Sequence, residues 1–224
     1  METAIAHNLR LVRESLPDSV RLVAVSKFHP EEELMEAYSQ GQRAFGESHV
    51  QEMTRKHDAL PGDIEWHFIG HLQTNKVKYL APYVSLIHAV DSLKLLREIN
   101  RQAEKNNRVI DVLLQLHIAQ EQTKFGFSTH ECIEFLKEGE WRDMVNVRIR
   151  GLMMMASNVD DEQQIKEEFC LAAEFFESVR QTFFVNDEMF EIKSWGMSDD
   201  YLLAVNSGSN MVRIGTTIFG ERVY

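Results

Sequence analysis

The chain has 224 residues, 44% of them hydrophobic and 26% charged, and carries a formal net charge of −11 at neutral pH. That length can bury a substantial core, while the acidity argues against a general surface for DNA or RNA and leaves room only for a local basic cleft around a small anion. No apolar run is long enough to span a bilayer, and the first ten residues lack the apolar stretch of a secretory leader.

The two cysteines, Cys132 and Cys170, each fall in a helical pattern without metal-ligand spacing, so free thiols in a reducing cytoplasm are expected. Gly and Pro are spread thinly and no low-complexity linker interrupts the chain. One domain covering residues 1–224 is therefore expected.

In chain order, residues 3–15 read as an amphipathic leading helix with Ile5, Leu9 and Val12 on one face. Arg21-Leu22-Val23-Ala24-Val25-Ser26-Lys27 reads as a strand covered on both faces, with a lysine where it stops. Pro30-Glu31-Glu32-Glu33 opens a helix to about residue 40, with proline in its first turn and carboxylates at the positive end of the dipole. Residues 44–47 give a second strand and 50–60 a helix closed by Pro61-Gly62. Strands at 65–70 and 85–90 precede helices at 72–79 and from Asp91-Ser92 to Lys105. A fifth strand covers 109–118, followed by a loop at 121–127 and a helix at 129–138. Strands at 147–154, 191–196 and 211–215 complete the set, with helices at about 160–184 and 198–207 between them.

These are eight strand-then-helix units of about 28 residues, the size of a (β/α)8 unit. Apolar strands alternating with amphipathic helices require a parallel sheet covered on both sides. A closed TIM barrel is expected because eight is the number that closes, with a doubly wound open sheet as the competitor. In either architecture a ligand sits at the carboxyl ends of the strands, where Lys27 lies.

Two readings of Lys27 stand side by side. It can snorkel from the sheet rim into water, or desolvation can lower its pKa and make it a nucleophile towards carbonyls. Near the other end of the chain, Ser198 reads as a helix N-cap with backbone N–H groups beside it. Gly215-Thr216 ends the last strand where a glycine permits close backbone approach. Loops after strands seven and eight form the usual phosphate cradle of such barrels. Asp199 and Asp200 would repel a phosphate unless they point outward. Singly, an ordinary cap and an ordinary turn explain these residues; with Lys27 they suggest a phosphorylated carbonyl compound held at both ends. Arg213, inside the last apolar strand, must face either a carboxylate or a ligand. Facing a pyridine nitrogen, it could only donate, so the nitrogen would stay unprotonated and the ring a weak electron sink. His67 alternates with Trp66 and Phe68, as a core histidine would, and Met153-Met154-Met155 reads as soft packing at a strand end. No Ser-His-Asp set, dinucleotide fingerprint or metal spacing is present.

From near residue 3 to its end the chain resembles the pyridoxal phosphate homeostasis protein family. The motifs that carry the likeness are Leu22-Val23-Ala24-Val25-Ser26-Lys27, Phe45-Gly46-Glu47, Trp66-His67-Phe68-Ile69-Gly70-His71-Leu72-Gln73-Thr74-Asn75-Lys76, Lys124-Phe125-Gly126, Arg150-Gly151-Leu152-Met153, Gly196-Met197-Ser198-Asp199-Asp200 and Arg213-Ile214-Gly215-Thr216-Thr217-Ile218-Phe219-Gly220. The resemblance implies the barrel of the alanine racemase N-terminal domain and a pyridoxal 5'-phosphate cofactor held as an aldimine of Lys27. It also implies phosphate contacts from Ser198, Gly215 and Thr216 and a ring-nitrogen contact from Arg213. Ser48 departs from the asparagine that many relatives carry there, and no role for His71 or Lys76 follows.

Two functions are open. One is a carrier that holds the cofactor and takes part in intracellular vitamin B6 and amino-acid homeostasis, with apo-enzymes as recipients. The other is a pyridoxal-phosphate-dependent amino-acid racemase. Racemisation needs acid–base groups on both faces of the reacting carbon. In the racemases the second is a tyrosine from a further domain of the partner subunit, for which the sequence after the last strand leaves no room. Tyr224, at the chain end, reads as frayed or packed on the rim. The expectation is a non-catalytic, cytoplasmic monomer without nucleic acid or membrane partners.

Overall fold

The computed structural model describes residues 3–118 and 125–221. Eight parallel strands close into a barrel in sequence order: β1 (Arg21–Val25), β2 (Ala44–Glu47), β3 (Glu65–Phe68), β4 (Leu86–Val90), β5 (Ile110–Gln115), β6 (Val147–Met153), β7 (Ile192–Ser194) and β8 (Met211–Ile214). Closure is explicit in the ladder between β1 and β8, where Val23 stands opposite Arg213 and Ala24 opposite Ile214. The open-sheet alternative is thereby excluded.

Around the barrel run α1 (Ala4–Glu14), α2 (Glu31–Ser39), α3 (Val50–Ala59), α4 (Val77–Leu80), α5 (Leu93–Lys105), α6 (Thr129–Glu138), α7 (Glu162–Phe183), α8 (Tyr201–Asn206) and α9 (Thr216–Phe219). Local chemistry explains several starts. Thr3 caps α1 by accepting from the Ala6 N–H, and Ser92 caps α5 by accepting from Leu95. Ser128 and Glu131 form a reciprocal capping box on α6.

Two apolar layers hold the fold. The larger lies between strands and helices, with Phe45, Trp66, Phe68, Phe169, Phe176 and Trp195 essentially buried. The smaller fills the barrel with one side chain from each of seven strands: Val23, Ala44, Leu86, Leu113, Met153, Ile192 and Met211.

Three expected elements differ. The helix read at 72–79 is a 3-10 turn, Thr74–Lys76, running into the four residues of α4. Pro30 is the N-cap of α2 rather than part of its first turn. The helix read from 198 begins at Tyr201, because the Asp200 carboxylate accepts from the Met197 N–H and ties residues 197–200 into a turn. Residues 121–124 of the expected loop, Lys124 among them, and Tyr224 lie outside the described residues.

Candidate functional site

Lys27 directly follows β1, in a turn at the carboxyl end of the barrel. The next residue, Phe28, has φ +69°, a left-handed conformation that a bulky side chain adopts at a cost of about 1–3 kcal/mol. Its N–H donates to Glu52 Oε1 at 2.7 Å. On the other side of Lys27, the Ser26 hydroxyl donates to Glu47 Oε1 and the Ser26 carbonyl accepts from Lys56 Nζ, each at 2.7 Å. The turn bearing Lys27 is thus pinned on both flanks.

Residues from β7 and β8 meet at the same end of the barrel. The Gly215 N–H donates to Ser198 Oγ at 3.2 Å, joining the loop after β7 to the end of β8. Ser198 is therefore not a helix cap; Asp200 occupies that position, and the Ser198 hydroxyl is turned to the β8 backbone. A Cβ at Gly215 would lie 3.1 Å from the Val25 carbonyl oxygen, so glycine eases the close approach of β8 to β1.

Arg213 is 3% exposed and its guanidinium is held by two backbone carbonyls and a hydroxyl. One terminal nitrogen donates to the Ser194 carbonyl (2.6 Å) and hydroxyl (2.7 Å), and the other to the Met154 carbonyl (2.9 Å). No carboxylate forms an ion pair with it among the described residues, so the salt-bridge reading fails. Burial lowers its pKa to about 10, with Asp200 nearby pulling the other way. It remains a cation at neutral pH.

Lys27, Ser198, Arg213, Gly215 and Thr216 all line one cavity of about 230 Å³, together with Asp199 and Met155. A second compartment of about 270 Å³ shares Lys27, Ser48, Ile69 and Met155 with it and adds His71, Gln115, His117 and Phe125. All five residues singled out in the sequence are therefore brought together. The donors suit a small anion with a carbonyl: an amine at one side, and a hydroxyl, a glycine turn and a buried guanidinium at the other. Asp200 is folded back onto the Met197 N–H, whereas Asp199 faces the cavity.

Sequence patterns did not single out the polar chain behind Arg213. His67 Nδ1 lies 3.0 Å from His88 Nε2, and His88 Nδ1 lies 3.0 Å from Ser194 Oγ, which also accepts from Arg213. The two ring contacts are both made when Ser194 donates to His88 Nδ1 and His88 donates from Nε2 to His67 Nδ1. Burial drives His67 down to about 3 and His88 well below its ordinary range, so both rings are neutral. His67 is the buried core histidine that its alternation suggests, bonded through Nδ1. Parity was the available signal for His88, which lies two residues after inward-facing Leu86 and so shares its face. His71 pairs with Asp91 at 3.2 Å and lines the second compartment, while Lys76 lies over the Tyr79 ring. Met153 and Met154 are buried packing, but Met155 is 41% exposed and faces both compartments.

The family model described as alanine racemase, N-terminal domain, matches residues 2–223. A protein of Schizosaccharomyces pombe named pyridoxal phosphate homeostasis protein is 37% identical, over 96% of this chain and 91% of its own. One of the same name from Aquifex aeolicus is 38% identical, over 91% and 88%. Among solved structures, PipY of Synechococcus elongatus PCC7942 without PLP superposes with a TM-score of 0.90 at 35% identity, covering 96% of this chain and all of that one. The same protein with PLP bound gives a TM-score of 0.87 at 34% identity, with the same coverage.

Proposed function

The chain belongs to the pyridoxal phosphate homeostasis protein family, built on the alanine racemase N-terminal barrel, and from that premise we propose that it binds pyridoxal 5'-phosphate reversibly in the intracellular economy of vitamin B6 and amino acids. The observation that carries the reading is the convergence of Lys27, Arg213, Ser198 and the Gly215-Thr216 turn on one cavity. Bound there, pyridoxal phosphate supplies an aldehyde that an amine can capture, a ring nitrogen and a phosphate.

This chain's residues divide the work of holding it. Lys27 is the covalent anchor, through Nζ. Ser198 and the start of α9 take the phosphate, their hydroxyl and backbone N–H groups complementing its charge. Arg213 keeps its terminal nitrogens on Ser194 and Met154, and its Nε–H makes no hydrogen bond among the described residues. Of the five guanidinium N–H groups, Nε–H and one on the Met154-bound nitrogen are left over, and these are the donors available to a ring nitrogen. A guanidinium can only donate, so that nitrogen is kept unprotonated, which suits retention of the cofactor more than carbanion chemistry.

The reading extends to a single barrel domain over residues 1–224 that acts as a carrier rather than an enzyme and passes the cofactor to apo-enzymes. It also places the protein in the cytoplasm as a monomer, in keeping with free thiols at Cys132 and Cys170. No described helix is long and apolar enough to cross a membrane.

Incubation with pyridoxal phosphate is expected to give a visible absorbance band that Lys27→Ala abolishes, with no turnover of L-alanine. Lys27-dependent racemisation would overturn the carrier, and a protein that stays colourless would overturn binding itself.

A further inference from the structure

We infer that the buried cluster of Lys56, Glu47 and Glu52 is a positioning device for Lys27, fixing the anchor by clamping the residues on either side of it. The inference rests on the reading of Lys27 as the covalent anchor. Lys56 projects from α3 and Glu47 ends β2, and both side chains are fully buried. The Lys56 ammonium has three acceptors: the Ser26 carbonyl at 2.7 Å, Glu47 Oε1 at 2.7 Å and Glu52 Oε1 at 2.8 Å. These satisfy all three of its donors.

Both acceptor carboxylates also hold the Lys27 turn. Glu47 Oε1 accepts from the Ser26 hydroxyl, and Glu52 Oε1 accepts from the Phe28 N–H. The cluster touches residues 26 and 28 and leaves Lys27 to face the cavity. Burial does not explain the left-handed Phe28, whose side chain is 41% exposed and packs on His49 with ring centroids 5.1 Å apart. The hydrogen bond to Glu52 is one contact that holds it.

Stability alone explains the cluster poorly. A buried ion pair typically contributes no more than a well-packed apolar pair would, because its attraction must offset desolvation. Here burial pushes the Glu47 carboxyl up to about 7 even beside Lys56, and Glu47 Oε2 has no hydrogen-bond partner. What the charged pair does, and an apolar pair cannot, is grip the Ser26 carbonyl and hydroxyl.

The test replaces the pair by the apolar double variant Glu47→Leu/Lys56→Met, with Glu52→Ala as a second, less buried change. In the cofactor-free protein, acetylation of Lys27 is followed against pH by peptide mass spectrometry; affinity for pyridoxal phosphate is measured separately by absorbance titration. A folded double variant should bind the cofactor about tenfold more weakly and show a shifted pH midpoint of Lys27 acetylation. Glu52→Ala should shift both in the same direction by less. Wild-type acetylation profile and affinity in either folded variant would overturn the positioning role. If the wild-type protein captures no cofactor at Lys27, the anchor reading fails instead, and the acetylation profiles still decide whether the cluster governs that amine.

Discussion

Arg213 sits deep in the barrel, makes no ion pair among the described residues and donates to two carbonyls and one hydroxyl, with Asp200 nearby. Such a cation is costly to bury unless its donors are used, and Arg213 lines the same cavity as Lys27 with two of its five N–H groups left over. Arg213→Glu is expected to change the absorbance of the bound cofactor, because a carboxylate there favours a protonated ring nitrogen. An unchanged spectrum in the folded variant would separate Arg213 from the ring. That Arg213 belongs to the site was legible in the sequence, because a guanidinium in an apolar strand demands a reason. Its partners were not: Ser194 ends β7 and Met154 directly follows β6, strands whose register only the closed barrel sets. Lys56 was hidden for a related reason. Its spacing from Val50 and Met53 puts it on the buried face of α3, a signal masked by the rule that lysines face water.

At the scale of elements, the chain His67–His88–Ser194–Arg213 ties β3, β4, β7 and β8 together across the barrel interior. Its histidines give it a pH signature. Unfolded histidines take up a proton near 6.5, whereas folded His67 does so at about 3 and folded His88 well below its ordinary value. The unfolded chain therefore binds more protons below about pH 6.5, and stability falls as pH drops through that window. Glu47 acts with the opposite sign. Its folded carboxyl is raised from 4.5 to about 7, so its contribution is fullest at low pH and lost as pH rises through 7. A single-site comparison separates the two. On going from pH 7 to pH 5, His88→Gln should lose about 2 kcal/mol less stability than the wild type in denaturant titrations. Equal losses would mean that His88 is not held neutral in the fold.

For the whole molecule, the decisive event is closure. Lys27 and Gly215 are far apart in sequence, yet β1 and β8 are neighbours and Gly215 packs against the Val25 backbone. Eight apolar strands with helices between them made this architecture legible, since strand ends then gather on one face. Finer features depended on side chains competing for backbone groups, as when Asp200 captures the Met197 N–H and moves a helix start from Ser198 to Tyr201. The polar clusters around the site stayed hidden because each draws members from several strands and helices.

All of this converges on one nitrogen. Protein loaded with pyridoxal phosphate, reduced with borohydride and mapped by peptide mass spectrometry should carry a single cofactor-sized adduct on Lys27. An adduct on other lysines with Lys27 unmodified, or no adduct at all, would contradict it.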